Sequence, residues 1–483
     1  MSQPPSETSA GMPAYRPLSL QAKDELRRTL GEDCLRDDPT SLEEYAQDHS
    51  GVTHRPELVV LPTEPRQVQQ LMRLANRHRF PVTPRGAGTG MAGGCVASLG
   101  GVVLSLERMT RIRNLDTRHL VAEVEAGVIT KTLKDAAREK GLFYPPDPAS
   151  LDSGTLGGNA ATNAGGPTCL KYGTTKDYVL GLEVVLPDGE LINTGAATRK
   201  GVVGYDLTHL LVGSEGTLGV ITALTLKLLP HPPAVAGLVA VFPDLERATE
   251  CVTQIMVGGN LPSALEFMDS RCLELIADLL PFARPPADSA LLYIEADGHP
   301  REIRRQMEAI SQICRRMGAS ELMEMPGDED RQRFWQARRQ MTLRIREASA
   351  LKLSEDVAVP IGHIAEMVSG LPQVAREHGI KIYSYGHSGD GNIHVNFTAG
   401  DTALRPAVEK AIRQVLERVL ELGGTISGEH GIGLAKAPYL PMEIPRRSIE
   451  LQMGIKRLFD PGLVLNPGKI FPWRPAGDAS SHG

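Results

Sequence analysis

The chain has 483 residues, is 41% hydrophobic and 23% charged, and carries a formal net charge of −6. That length allows two or three domains with sizeable cores, and the well-mixed charges, with no long basic cluster, argue against nucleic acid as a partner. The six cysteines (Cys34, Cys95, Cys169, Cys251, Cys272 and Cys314) contain no CxxC pair, which argues against an iron–sulfur cluster or zinc ribbon and for free thiols in a reducing compartment.

Residues 1–17 are polar and rich in Pro and Ser, and read as a disordered tail rather than a secretory signal or transit helix. With no apolar run long enough to span a bilayer, the expected location is cytoplasmic, with peripheral membrane association left open. A helix is expected over 20–30 and a strand over 58–62. Val68, Leu71, Met72 and Ala75 then fall at helical spacing within 64–77, followed by a strand over 80–83. This β-α-β start runs into a glycine-dense segment, 84–94, in which Gly88, Gly90 and Gly93 formally satisfy GxGxxG. A dinucleotide fingerprint must open a helix, yet only residues 95–99 separate it from Gly100, Gly101 and the next strand, 102–106. The segment is better read as a loop whose backbone N–H groups form an anion-binding nest, with Arg85 adding charge; a plain surface loop is the alternative.

A second backbone-rich stretch, 144–166, has almost no large side chain between Gly154 and Gly166, so it can lie flat against a planar ligand. Aromatic residues are only 4% while Gly numbers 49, which fits close approach of backbone to a ligand. Strands over 179–186 and 191–192 flank the turn Pro187-Asp188-Gly189, and another strand follows over 222–229. Pro230, Pro232 and Pro233 punctuate a domain boundary. Beyond it, strands (238–242, 290–296, 381–385) alternate with longer helices. In the helix expected over 329–348, Phe334, Ala337, Met341, Ile345 and Ala348 form an apolar stripe; Arg338 lies at its edge and Arg339 points away. A guanidinium at that border either snorkels or holds a buried anion.

The stretch 385–397, with Glu429 and His430 further on, carries the chemistry. If 381–385 and 394–397 pair as strands across the turn 386–392, His387 and His394 converge. Glu429 completes a three-ligand set for zinc, manganese or iron, and His430 is left as a free acid or base. The alternative is a glycine-rich hairpin with two surface histidines.

The ordered motifs PRGAGTGMAGG (84–94), YPPDPASLDSGTLGGNAATNAGG (144–166), LVGSEGTLGVITALTLKLLP (211–230), YGHSGDGNIHVNF (385–397), SGEHGIG (427–433) and NPGKI (466–470) resemble the FAD-linked 2-hydroxyacid dehydrogenases of the vanillyl-alcohol-oxidase superfamily. This family includes D-lactate dehydrogenases, the FAD subunit of glycolate oxidase and D-2-hydroxyglutarate dehydrogenase. The resemblance implies an α+β protein: a two-subdomain α/β FAD-binding domain (18–232), a cap domain with antiparallel sheet and helices (233–434), a C-terminal return onto the first domain (435–473) and a tail (474–483).

It implies that Arg85, Gly86, Gly88, Thr89 and Gly90 form the pyrophosphate loop. Pro146, Ser153, Gly157, Gly158, Asn159, Asn163 and Gly165 match the isoalloxazine and ribityl contacts, and Gly216 and Ile221 contacts near the adenosine end. His387, His394 and Glu429 match a divalent-metal site, most simply zinc. His430 matches the catalytic base, Asn396 a substrate contact and Arg338 the carboxylate-binding arginine. The implied reaction oxidises a 2-hydroxy acid to its 2-oxo acid, with hydride passing to flavin N5 and electrons to an external quinone, cytochrome or electron-transfer protein; partner subunits are compatible with it. No flavin-tethering histidine stands in the first glycine loop, so the FAD is expected to be noncovalent. Dicarboxylate-specific relatives carry a lysine where this chain has Ser354-Glu355, which favours D-lactate or glycolate over 2-hydroxyglutarate. An oxygen-using oxidase and a non-catalytic flavin-binding subunit are the competing readings.

Overall fold

The computed structural model describes Pro13 and residues 15–473; most of the expected N-terminal tail and all of 474–483 lie outside the described residues. Within the N-terminal segment, the Tyr15 hydroxyl donates to the carbonyl of Leu463, which ties that segment to the C-terminal part of the chain.

The helix Leu20–Leu30 forms as expected: Ser19 accepts the Ala22 N–H at its N-terminus, and Ala22, Leu26 and Leu30 turn inward. The first sheet follows the order Leu35–Arg36, Leu58–Val60, Val102–Ser105, Val82–Arg85, and its last three strands are parallel. Helix Pro65–His78 makes the crossover and buries Val68, Leu71, Met72, Leu74 and Ala75. From Arg85 to Val102 the chain runs without a helix, as the short spacing required. A second sheet of five antiparallel strands has the order Ile112–Asp116, Val121–Glu125, Val220–Lys227, Val179–Val185, Leu191–Gly195. Residues of both sheets share one core, which runs from Leu18 to Leu228 and also takes in Val464 and Leu465. Leu465 bridges Val82, so the C-terminal segment returns to the first sheet.

Beyond the proline cluster stands a seven-stranded antiparallel sheet, in the order Glu321–Met325, Ala234–Phe242, Ala290–Gly298, Ala264–Met268, Lys381–His387, Asn392–Ala399, Leu351–Ala358. Its faces carry two separate cores. Helix Asp328–Glu347 packs Phe334, Ala337, Met341 and Ile345 against one of them. Ala348 is exposed, contrary to the helical wheel, because the helix ends at Glu347 and Ala348 is its C-cap.

The stretch 154–166 also differs from a flat ribbon. Thr155 accepts the Gly158 N–H at 3.2 Å and starts a helix, Leu156–Thr162, which Asn163 closes in the left-handed region at φ 51°. The lack of side-chain bulk serves close packing: a Cβ on Gly157 would lie 2.6 Å from the Cβ of Ala126.

Candidate active site

The paired strands Lys381–His387 and Asn392–Ala399 put His387 and His394 beside each other, with Tyr385 opposite His394. Their Nε2 atoms are 3.5 Å apart, and Glu429 Oε1 lies 3.7 Å from the first and 3.6 Å from the second. Three donors each about 2.1 Å from a common ion in trigonal or tetrahedral geometry stand roughly 3.4–3.6 Å from one another, so this triangle has the size of a metal site. An overlapping cluster, Asp356, His394, Glu429 and His430, also has its donor atoms within 4.8 Å. The first set is the better cage, because the Asp356 carboxylate is already occupied. Its Oδ2 accepts the N–H of Glu429 at 2.7 Å and of His430 at 2.9 Å, and its Oδ1 accepts from Asn392 Nδ2 at 2.6 Å. Asp356 thus holds the loop that presents Glu429 and His430.

Glu266, wholly buried on the strand Ala264–Met268, ties the site together. One oxygen accepts a hydrogen bond from His387 Nδ1; the other accepts from Arg338 Nε at 3.0 Å. This is the carboxylate–histidine arrangement that orients a ligating imidazole. Burial works against a charged His387, but Glu266 and Glu429 outweigh it and hold its pKa well above the usual value. His394 goes the other way: burial, then the charge on His387, keep it neutral. Burial opposes ionisation of Asp356 too, yet His430, Lys436, His394 and the Asn392 amide leave it well below the usual carboxylate range.

Arg338, on the helix Asp328–Glu347, is buried, stacks 4.2 Å over the Tyr385 ring and pairs with Glu266 instead of snorkelling. Its Nη2 is 2.9 Å from Glu266 Oε2, so the ion pair holds, but the approach is too oblique for a hydrogen bond, and that nitrogen makes none among the described residues. Asn396 Nδ2 is a second buried donor that makes no well-aligned hydrogen bond among the described residues, although Tyr385 stands beside it, while its Oδ1 accepts from Ser354 Oγ at 2.8 Å. His430 is half-buried, and its ring stacks on His394 with centroids 5.6 Å apart.

Arg338, Tyr385, His387, His394, Asn396, Glu429 and His430 open into one cavity of about 710 Å³, with Glu266 and Asp356 behind its wall. Arg85, Gly86, Gly88, Thr89 and Gly90 line it from the first glycine loop; Ser153, Gly157, Gly158, Asn159 and Gly165 from the second; Gly216 and Ile221 from the third. The backbone approach there is tight, since a Cβ on Gly86 would lie 2.4 Å from Thr155 Oγ1. Two expected contacts fall outside the lining. Pro146 is buried with its carbonyl accepting from Lys134 Nζ, and Asn163 spends its side chain on the Lys176 N–H while closing its helix. Arg339, which the wheel turned away from the apolar stripe, does line the cavity, because that stripe faces a different core. Sequence reasoning missed Glu266 and Asp356. A lone Glu within the wholly buried Ala-Leu-Glu-Phe-Met strand was the available signal for the first.

The family described as FAD linked oxidases, C-terminal domain, matches residues 231–470, and an FAD binding domain matches residues 56–195. The glycolate oxidase subunit GlcD of Bacillus subtilis (strain 168) is 40% identical over 421 residues, 86% of this chain and 89% of that one. The chain belongs to the FAD-linked oxidases. Among other FAD-linked relatives, the D-lactate dehydrogenase of Anaerostipes hadrus is 36% identical over 444 residues, 89% of this chain and 92% of its own. The fold is that of 4-ethylphenol oxidase from Gulosibacter chungangensis, with TM-score 0.76 at 20% identity over 94% of this chain and 97% of that one. It is equally that of p-cresol methylhydroxylase, with TM-score 0.76 at 18% identity over 93% and 96%. The protein is therefore an FAD-linked oxidoreductase, and its fold is α+β with an antiparallel second sheet. No helix among the described residues is long and apolar enough to cross a membrane.

Proposed function

We propose that this FAD-linked oxidase oxidises a small D-2-hydroxy acid, D-lactate or glycolate ahead of 2-hydroxyglutarate, to its 2-oxo acid. One observation carries the reading: two buried donors that make no well-aligned hydrogen bond among the described residues, Arg338 Nη2 and Asn396 Nδ2, share a cavity with the His387, His394 and Glu429 triangle and with three glycine-rich walls. Unpaired buried donors are unfavourable until an acceptor arrives, and a 2-hydroxy acid offers a carboxylate and a hydroxyl. The names of the two relatives, a glycolate oxidase subunit and a D-lactate dehydrogenase, point the same way.

In this reading the glycine walls hold FAD noncovalently, the Arg85 to Gly90 loop at its pyrophosphate, and 18–232 is the flavin domain, 233–434 the cap. When bound, FAD supplies the acceptor for a hydride, and a divalent ion on the triangle, zinc before manganese or iron, polarises the substrate oxygens. The chain's own residues do the rest. Arg338 pairs with the carboxylate, Asn396 donates to the hydroxyl oxygen, and His430 takes the hydroxyl proton as the Cα hydrogen leaves with its electron pair, turning C–OH into C=O. His430 suits this role because Asp356 fixes its backbone while its ring stays half-buried and open to the cavity.

The preference for a small monocarboxylate is supported by Ser354 and Glu355 lining the cavity where dicarboxylate-specific relatives place a lysine; Lys352 is not among the lining residues. Electrons leave for an external quinone, cytochrome or electron-transfer protein, with partner subunits compatible with the arrangement. The test is anaerobic mixing of the isolated chain with a panel of D- and L-2-hydroxy acids. D-lactate or glycolate should bleach the flavin, and a panel in which none does so refutes the reading.

A further inference from the structure

Glu215 takes no part in the chemistry described above, yet it sits where the walls of the cavity meet. It adopts φ +52°, a left-handed conformation that is unfavourable for a residue with a Cβ, while Gly213 and Gly216 beside it take such angles freely. A glycine would serve that backbone better, so the side chain must have a use.

Its carboxylate crosses to the loop that follows Glu429 and His430. Oε1 accepts the Ile432 N–H at 2.8 Å and Oε2 the Gly433 N–H at 2.7 Å. Its backbone is fastened to both glycine-rich walls. The Glu215 N–H donates to the Ala161 carbonyl at 2.7 Å, within the helix of the second stretch. The Glu215 carbonyl accepts from Asn466 Nδ2 at 2.7 Å, and that same amide reaches the Gly94 carbonyl at the end of the first glycine loop. The loop is held again at the next two residues, where Leu434 and Ala435 both donate to the Ala92 carbonyl of the first loop. There is no slack: a Cβ on Gly431 would meet Glu215 Oε1 at 3.0 Å, and one on Gly433 would meet the Ala92 oxygen at 2.1 Å.

We propose that Glu215 is a positioning residue that makes the placement of Glu429 and His430 depend on the flavin-binding walls, so that filling the cavity with FAD orders the loop that carries them. The catalytic consequence rests on the function proposed above; the ordering itself does not.

The decisive measurement is hydrogen exchange of residues 428–434 in the FAD-loaded protein. Glu215→Gly removes both acceptors and relieves the strained backbone, so the fold should survive, while the Ile432 and Gly433 amides exchange faster by about 10- to 100-fold, the worth of a hydrogen bond to a charged group. Glu215→Gln keeps the volume but offers one acceptor, and should fall between. Stripping FAD from the wild type should speed the same amides, and should do so much less in Glu215→Gly. With substrate, flavin reduction should slow while KM and FAD content hold. The proposal is overturned if the wild-type amides exchange alike with and without FAD, or if Glu215→Gly leaves them unchanged. It is equally overturned if amide protection, FAD content and melting temperature all fall together in both variants, which marks a purely structural residue. Exchange needs no substrate, so failure of the hydroxy-acid reading is seen separately.

Discussion

Replacing Glu266 with glutamine is the sharpest perturbation of the site. The wild-type carboxylate accepts on both sides, from His387 Nδ1 through Oε1 and from Arg338 Nε through Oε2. A glutamine has one acceptor and one donor end. Whichever way it is turned, an N–H faces either His387 or Arg338, so one of the two must rotate away. The buried guanidinium also loses the charge of its ion-pair partner, and breaking a buried pair in this way costs about 3–5 kcal/mol. Loss of the orienting partner of a ligating histidine lowers metal affinity by about 10- to 100-fold. Glu266→Gln should therefore bind metal at least about tenfold more weakly by equilibrium dialysis, raise KM through Arg338, and unfold at clearly lower urea concentration. A variant that keeps wild-type metal affinity, KM and unfolding midpoint would show that Glu266 merely fills space.

Three further outcomes follow from the same geometry. In metal-free protein His387 stays protonated well above its ordinary pKa, so an ion entering the triangle must displace a proton. Metal affinity should rise with pH below that raised value, with about one proton released per ion; a pH-independent affinity contradicts the assignment. By linkage, the contribution of His387 to metal-free stability is fully present below its unfolded pKa of about 6.5 and is lost as pH rises through the raised value. Arg338→Ala should weaken substrate binding by about 1.5–3 kcal/mol with FAD content unchanged, and unaltered steady-state constants would assign the arginine to packing alone. Acid precipitation should release yellow flavin into the supernatant, whereas flavin retained in the pellet would indicate a covalent link.

Much of this was legible from local pattern. The glycine loop declared itself because residues 95–99 leave no room for a helix, and the histidines converged because a hairpin register needs only the turn between them. What stayed hidden was set by distance along the chain. Glu266 reaches His387 across 121 residues and Glu215 reaches Ile432 across 217, through strand order and loop docking that no spacing rule encodes. Arg338 looked like a residue at the edge of an apolar stripe until its partner on another strand was known. The resemblance assigns Asn163 to the flavin contacts, and the structure shows a further use that no motif displays: its left-handed backbone ends a helix while its side chain accepts the Lys176 N–H. Arg339 does point away from the apolar stripe, as the helical wheel has it, but a wheel locates the apolar core and not the cavity that Arg339 borders.

The central claim is that His430 takes the hydroxyl proton during flavin reduction by a D-2-hydroxy acid. Rapid anaerobic mixing isolates that step from whatever acceptor follows. Wild-type protein should bleach with D-lactate or glycolate, and His430→Ala, with FAD and metal retained, should bleach slower by roughly 10² to 10⁴, the usual worth of a positioned general base. Equal bleaching rates in the two proteins would contradict the account.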